Sequence, residues 1–215
     1  MRLVIFAALL LFWRGAVAQI AVEVFGGSKK TTVDVMFFKF FKNKEMQHSK
    51  WLFFNRNRSS IDYKMTHTNT LPQFGFTEAI SYNDQRLKGF APVVVASVLN
   101  SGVYPKAGFQ FSKVKSNYTI FSWLVAEILK QPTVDFFFLG RYTPKLTDQL
   151  NLFTQIELIN AFPTAKNTSL TLIQRARLGL KIKACQFGLG TDFSAMGKTQ
   201  FTNTQNMGGF LRFEF

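Results

Sequence analysis

The sequence predicts an all-β protein that folds as an antiparallel up-and-down transmembrane β-barrel, most simply of twelve strands, with ten as the alternative. Three observations lead there. The last residues alternate strictly between an apolar face and a mostly charged face, and 26 of 215 residues are Phe. The chain is 47% hydrophobic, yet after its first residues no apolar run approaches the roughly 20 residues of a spanning helix. Such a chain can enter lipid as a closed barrel, because an open sheet edge would leave backbone groups unpaired.

The closing segment Met207–Phe215 shows the alternation most clearly. Side chains of a strand point to opposite faces in turn. One face therefore carries Leu211, Phe213 and Phe215, and the other carries Phe210, Arg212 and Glu214.

This segment resembles the closing strand of Gram-negative outer-membrane β-barrels, and the alternating strands of the rest of the chain resemble such barrels in pattern. The resemblance implies an outer-membrane location. It also implies that barrel assembly machinery reads Leu211, Phe213 and Phe215. With about twelve strands the chain is similar in size to the nucleoside-specific channel family, without a diagnostic motif of that family.

The first residues have the pattern of a secretory signal peptide. Arg2 precedes an apolar run, Leu3–Phe12, and a small-residue segment, Gly15–Ala18, follows. The run is too short to span a membrane, although an uncleaved N-terminal anchor remains the alternative. We expect cleavage between Ala18 and Gln19, which gives residues 1–18 as signal peptide and residues 19–215 as one barrel domain.

Twelve segments have strand-like alternation between turn residues. Bacterial single-chain barrels have even strand numbers, so twelve satisfies the parity expected when both termini lie in the periplasm. Outer loops are expected to be the longer set, and the longest lies at 194–206. The predicted strands are Gln19–Phe25, Thr31–Lys42, Trp51–Tyr63, Phe74–Asn83, Gly89–Leu99, Val103–Lys115, Tyr118–Leu129, Thr133–Thr143, Asp148–Asn160, Ser169–Lys183, Cys185–Phe193 and Met207–Phe215.

The segment Ser169–Lys183 identifies the inward face, because leucines occupy one side and cations the other. A cation on the lipid side at mid-membrane costs about 2–4 kcal/mol, so the cationic side faces the lumen. The same rule predicts a polar, crowded lumen. Its inward cations are Arg56, Arg58, Arg141, Arg175, Arg177, Lys181 and Arg212. Its inward acids are Asp34, Asp62, Asp135, Glu157 and Glu214.

Two segments resist this assignment. Asp34 and Lys39 fall on opposite faces of Thr31–Lys42, which predicts a bulge or a different register there. Tyr118–Leu129 is apolar on both faces and cannot be oriented.

The inward charges allow two interpretations. They form a network of pairs that fills a narrow barrel, because unpaired buried charges are costly, or they form a basic constriction that selects anions. The corresponding functions are a narrow passive channel for small polar or anionic solutes, and a non-conducting structural or accessory barrel of a larger envelope complex. A barrel enzyme that acts on lipids is a third reading.

The remaining composition narrows the partners and the chemistry. The single Cys185 excludes an internal disulfide, and two separated histidines, His48 and His67, offer neither a metal cluster nor an oriented base. We expect no metal and no cofactor. The net charge of +14 is assigned to the lumen and to lipopolysaccharide rather than to nucleic acid, because no nucleic-acid-binding motif is present. The loop cations that would meet lipopolysaccharide phosphates are Lys29, Lys30, Lys64, Lys166 and Lys198.

Overall fold

The chain forms twelve antiparallel strands in a computed structural model, which describes residues 20–42, 45, 47–64, 72–129, 133–165 and 169–215. The predicted signal peptide, with Ala18 and Gln19, lies outside these residues, as does His67. Among the described residues, no helix has the length and apolar character needed to cross a membrane. The strands are β1 (Ala21–Gly27), β2 (Lys30–Lys42), β3 (His48–Asp62), β4 (Gln73–Tyr82), β5 (Phe90–Leu99), β6 (Gly102–Val114), β7 (Tyr118–Glu127), β8 (Thr133–Tyr142), β9 (Asn151–Pro163), β10 (Leu170–Ile182), β11 (Cys185–Gly197) and β12 (Phe201–Glu214).

The strands follow one another around a closed ring, in which β1 pairs with both β2 and β12. Ile20 and Phe215 complete the closure by exchanging backbone hydrogen bonds of 3.1 and 2.9 Å. The predicted twelve-stranded antiparallel barrel is therefore confirmed, and the ten-stranded alternative is wrong. We call the end that holds Ile20 and Phe215 the terminal end, and the other the distal end.

The alternation in β12 separates the two sides of the wall as the sequence predicts. Leu211, Phe213 and Phe215 are 45%, 39% and 55% exposed, whereas Phe210 and Arg212 are only 4% and 3% exposed. The exposed set forms the outer wall and the buried set enters the lumen. A closed ring satisfies the backbone of every strand, so apolar side chains can face lipid on the outside.

The largest departure from the predicted elements is at the end of the chain. β11 continues to Gly197 and β12 begins at Phe201, so the long loop expected at 194–206 is a tight turn at 198–200. Polar residues such as Asn203 and Gln205 suggested a loop, but they pair across the hairpin with Ala195 and Phe193. The expectation that the distal loops are the longer set is therefore wrong. The terminal-end turns at 83–89 and 143–150 contain more residues than several distal turns.

The structure also orients the two ambiguous segments. In β2 the pairing register shifts between Phe40 and Lys42, which is the expected irregularity, yet Asp34 faces the lumen and Lys39 faces outward. In β7 the buried side chains Phe121, Trp123 and Val125 face inward. The bulge follows Lys39 in the chain, so it leaves the opposite orientations of Asp34 and Lys39 unchanged.

The terminal-end turn between β4 and β5 is held by a surface ion pair. The Lys50 ammonium lies 2.6 Å from the Asp84 carboxylate, which also accepts a hydrogen bond from the Arg86 backbone N–H. The hydrogen bond from Lys50 lowers the pKa of Asp84 below its usual range. Because the Lys50 side chain is exposed to solvent, the pair contributes little to stability.

The seam between β1 and β12 is reinforced at the distal end by Asn206. Its buried side chain accepts hydrogen bonds from the backbone N–H groups of Lys29 and Lys30 at 2.7 and 3.3 Å, and donates to the Lys30 carbonyl at 3.1 Å. β12 thereby holds the β1–β2 turn, so the last strand is tied to the first hairpin by a side chain as well as by the ladder.

We predict that Asn206→Ala weakens this closure. The variant leaves the partly buried backbone groups of Lys29 and Lys30 without their hydrogen-bond partner. The free energy of unfolding, measured by urea titration in lipid vesicles, should fall by about 1–3 kcal/mol. Asn203→Ala in the same strand is the control, because Asn203 is exposed. Equal loss in both variants would contradict a role for Asn206 in the seam.

Candidate functional site

The lumen contains side chains that reach from one wall of the barrel to the opposite wall. β3 and β9 lie six strands apart in the ring, yet Arg56 Nη2 on β3 lies 2.9 Å from Glu157 Oε2 on β9. Arg56 also pairs with Asp34 on β2, through Nε at 3.0 Å and Nη2 at 2.5 Å. The Arg56 side chain and its partner Glu157 therefore span the lumen between β3 and β9 at mid-height.

Further cations extend this central network toward the distal end. Arg58 Nη2 lies 2.9 Å from Asp34 Oδ2. Arg175 pairs with Glu157 and approaches Asp192 Oδ2 at 3.6 Å. These contacts join β2, β3, β9, β10 and β11 through side chains alone.

Arg177 is the most enclosed cation of the lumen. Its side chain is 2% exposed and pairs with Glu23 at 3.0 Å and with Asp192 at 2.7 Å. Its guanidinium carbon lies 4.0 Å from the centre of the Phe25 ring, a cation–π geometry. Gly190 makes room for it, because a Cβ at that position would lie 2.7 Å from Arg177 Cδ.

A third group of charges lies toward the terminal end around Glu214. Its carboxylate pairs with Arg141 at 3.1 Å, Lys181 at 2.6 Å and Arg212 at 3.3 Å. Gln155 Oε1 accepts hydrogen bonds from Arg141 and Arg212. Lys106 pairs with Asp135 on the other side of the lumen, near the distal end.

The prediction of a polar lumen missed a large aromatic cluster. Phe54 on β3 stacks on Phe121 of β7 with ring centres 5.3 Å apart, and meets Trp123 edge-on at 5.2 Å. Phe137 on β8 packs against Trp123 at 4.9 Å. The Arg56 guanidinium lies 5.8 Å from the Phe137 ring, which joins the cluster to the charged network. We call this mid-height layer the septum; it consists of Phe54, Arg56, Phe121, Trp123, Phe137 and Glu157.

Two cavities lie on either side of the septum. The distal cavity, of about 190 Å³, is lined by Arg58, Arg175, Asp135 and polar residues of β4 and β5. The terminal cavity, of about 430 Å³, is lined by Arg141, Arg212 and Glu214 opposite apolar side chains of β2 and β3. Arg56 also lines the distal cavity, so three arginines face the distal cavity and two face the terminal cavity.

Four of these arginines, all except Arg56, keep guanidinium nitrogens without a protein hydrogen-bond partner. In the distal cavity they are Arg58 Nε and Nη1 and Arg175 Nε, and in the terminal cavity they are Arg141 Nη2 and Arg212 Nε. Buried donors of this kind are normally satisfied, so they are the groups of the lumen best placed to bind an anion or water.

A groove of about 760 Å³ lies outside the lumen, on the outer wall of β7 to β12. Ile120, Phe138, Ile156, Leu178 and Leu189 line it, and all point outward. In a bilayer this apolar depression would face acyl chains, so we place the candidate site in the lumen.

The structure brings most of the predicted site residues together, with one exception. Asp62 lies at the distal end of β3, where it accepts a hydrogen bond from the Lys64 backbone, and the structure records no ion pair for it with the lumen network. Sequence reasoning missed Glu23, Asp192 and Lys106, each of which pairs with a predicted residue or lines the same lumen. The alternation of polar and apolar residues could have identified them. In β1, for example, Glu23 lies between Val22 and Val24, which predicts that its side chain faces the lumen.

His48 begins β3 at the terminal end, away from the septum. Among the described residues, no group of three His, Cys, Asp or Glu side chains could hold a metal ion.

The architecture and the lumen place the chain in the class of twelve-stranded closed β-barrels. No family model and no curated protein matches the chain. Solved barrels are similar in fold, among them a KdgM porin in complex with disordered oligogalacturonate, at 12% identity and a TM-score of 0.48, covering 92% of this chain and 99% of that one. A bacterial polysaccharide outer membrane secretin matches at 6% identity and a TM-score of 0.37, covering 92% and 97%. The β domain of the Bordetella autotransporter BrkA matches at 8% and 0.34, covering 92% and 98%. Likeness at this level carries no argument about activity, which is inferred below from the lumen itself.

Proposed function

We propose that the protein is an outer-membrane β-barrel that passes small anionic or polar solutes through a narrow, gated lumen. The observation that carries the proposal is the pair of arginines with unpartnered N–H groups in each cavity, Arg58 with Arg175 and Arg141 with Arg212. Guanidinium groups bind carboxylates and phosphates through directed hydrogen bonds. Two such stations in series, one on each side of the septum, suit an anion that moves through the barrel.

The charge balance of the lumen supports an anion preference. Among the described residues that form lumen ion pairs, eight cationic side chains share six carboxylates. Pairing offsets most of the charge, and the excess is positive. Rings of cationic side chains are the usual means by which pores select anions.

The septum makes the path conditional on side-chain movement. Arg56 and the four rings extend across the lumen between β3 and strands β7, β8 and β9, so in this proposal a solute passes when they rotate or separate. This observation favours the second candidate function, a non-conducting accessory barrel of an envelope complex. The two candidates differ in one measurable property, the current across a bilayer that contains the purified protein.

In this proposal the terminal end faces the periplasm. The distal turns then meet the outer leaflet, where Lys29, Lys30 and Lys198 would contact lipopolysaccharide phosphates. Leu211, Phe213 and Phe215 would present the closing strand to the assembly machinery.

We predict that Arg58→Gln combined with Arg141→Gln reduces anion selectivity. The pair removes one unpartnered guanidinium from each cavity, whereas Asp34 keeps Arg56, and Glu214 keeps Lys181 and Arg212. In a KCl gradient, the reversal potential of the variant should shift from the wild-type value toward the value of a cation-selective pore.

The matched control removes one exposed lysine at each end, Lys145→Gln with Lys198→Gln. Both lysines lie in turns outside the lumen. Unchanged selectivity in the lumen variant, or an equal shift in the control, would rule out the arginines as the filter. If the folded protein carries no current at any applied voltage, the channel proposal is wrong and the accessory function is favoured.

A further inference from the structure

The terminal cavity has two walls of opposite character. Its polar wall contains Arg141 on β8 and Arg212 on β12. Its apolar wall contains Met36 and Phe38 on β2 and Leu52 on β3, and β2 lies six strands from β8 in the ring. The volume of about 430 Å³ is typical of sites that hold small organic molecules. A molecule that fills the cavity therefore contacts guanidinium groups on one side and hydrocarbon on the other.

The two arginines are held in place by shared acceptors. Gln155 Oε1 accepts a hydrogen bond from Arg141 Nε at 3.1 Å and from Arg212 Nη1 at 3.2 Å. Glu214 Oε1 lies 3.1 Å from Arg141 Nη1 and 3.3 Å from Arg212 Nη2. Both guanidinium carbons also lie beside the Phe153 ring, 5.9 and 5.8 Å from its centre. Within the described part of the chain, Arg141 Nη2 and Arg212 Nε have no hydrogen-bond partner, so fixed donors are ready for a ligand.

The charge around these arginines favours an anionic ligand. Lys181 is the third cation of the group, and its Nζ lies 2.6 Å from Glu214 Oε2. Three cations thus share the Glu214 carboxylate. A further carboxylate, Glu23, lies 3.8 Å from Arg212 and is held by Arg177 at 3.0 Å. The positive excess is confined in a buried space, where a ligand carboxylate would accept charge-assisted hydrogen bonds.

The apolar wall continues from the septum to the mouth of the cavity at the terminal end. Phe38 packs against Phe54 and Phe121 of the septum, with ring centres 5.0 and 4.9 Å apart. At the mouth, Phe40 on β2 and Val114 on β6 line the same cavity and are 38% and 58% exposed. A small inorganic anion would leave this surface hydrated, whereas a ligand with an apolar body would displace the water.

We propose that the terminal cavity binds a carboxylate with an apolar body, such as an arylacetic acid. The carboxylate accepts hydrogen bonds from Arg141 and Arg212, and the apolar body packs against Met36, Phe38 and Leu52. The inference rests on the proposed function, because it names the class of solute that the lumen holds. Binding is measured at equilibrium, so it is tested separately from conduction.

Titration calorimetry with phenylacetate tests the match between ligand and cavity. The barrel is held in lipid nanodiscs after its folding is checked by heat-modifiable gel mobility, and empty nanodiscs correct for partition into lipid. Phenylacetate should bind about tenfold or more tightly than phenylacetamide, which lacks the charge, and than acetate, which lacks the ring. Equal affinity for the three compounds, or no saturable binding of phenylacetate, would overturn the proposal.

Two variants separate the contributions of the walls. Arg141→Gln should remove the preference for phenylacetate over phenylacetamide, while Glu214 keeps Lys181 and Arg212. Phe40→Ser should weaken phenylacetate but keep that preference, because it alters the apolar wall alone. Lys145→Gln is the matched control, since Lys145 is exposed in a terminal-end turn outside the lumen. Wild-type preference in Arg141→Gln, or its loss in the control, would contradict the proposed contact.

A photolabel locates the ligand independently of affinity. Para-benzoylbenzoate combines a carboxylate with an aryl ketone that, on illumination, inserts into nearby C–H bonds and favours methionine. Met36 should be labelled, and excess phenylacetate should prevent the labelling. Met207 reports partition into lipid, because it is 58% exposed on the outer wall of β12. Label on Met207 alone, or label on Met36 that phenylacetate does not reduce, would overturn the proposal.

The two proposals fail in different measurements. Binding of phenylacetate by a barrel that passes no current would support the site and contradict the channel. Anion-selective current in a barrel that binds no phenylacetate would support the channel and overturn the site.

Discussion

Replacing both Phe54 and Phe121 by alanine is expected to open the barrel to ions. The two rings stack 5.3 Å apart and connect β3 to β7 across the lumen. Both are almost completely buried, so their removal leaves a gap that joins the distal and terminal cavities. In planar bilayers the wild type should show brief, rare openings, and the double variant should show steady unitary currents.

The gain in current should come with a loss of stability. Each Phe→Ala change in a packed core costs about 3–5 kcal/mol, so folding must be verified before conductance is interpreted. Phe74→Ala with Phe76→Ala is the matched control, because the same two deletions then fall on the outer wall. If the folded septum variant remains silent while the control behaves as the wild type, the septum is not the barrier and the accessory function is preferred.

The sequence predicts the orientation of a strand well where the two faces of the strand differ in charge, because a charge on a lipid-facing wall would be unfavourable. In β10 the alternation of Leu178 and Leu180 with Arg177 and Lys181 has one acceptable orientation. The same argument orients β8, β9 and β12, and the even strand number follows from the turns between them. Strand ends are less predictable, since Asn203 and Gln205 are polar and yet belong to β12.

The interior could not be predicted to the same extent, for two physical reasons. In β7, Phe121 and Trp123 alternate with Ile120 and Leu124, so the two faces of the strand are equally apolar. The free energy of transfer into lipid therefore does not favour one orientation of the strand over the other. Contacts across the lumen depend on the ring as a whole. Arg56 meets Glu157 because closure places β3 opposite β9, and no local pattern carries that information.

Replacing Arg177 by methionine is expected to destabilise the barrel far more than replacing Arg58 by glutamine. Arg177 is held by Glu23 and Asp192, is 2% exposed at its side chain and rests on the Phe25 ring. Removing one partner from a buried ion pair costs about 3–5 kcal/mol, because the remaining charge has lost its compensation. Here the change leaves Glu23 with only a distant contact of 3.8 Å to Arg212.

The measurement is the urea midpoint of unfolding in vesicles for Arg177→Met, with Arg58→Gln as the comparison. Arg58 is more exposed, and its partner Asp34 keeps Arg56, so its loss should cost far less. Adding Glu23→Gln and Asp192→Asn to Arg177→Met should recover much of the stability, because no uncompensated charge then remains at that site. Recovery would identify Arg177 as a structural cation that neutralises the β1–β11 side of the lumen. That leaves Arg58, Arg141, Arg175 and Arg212 as the cations available to a solute. Failure to recover would instead indicate that the contact with Phe25 and the space beside Gly190 carry the stability.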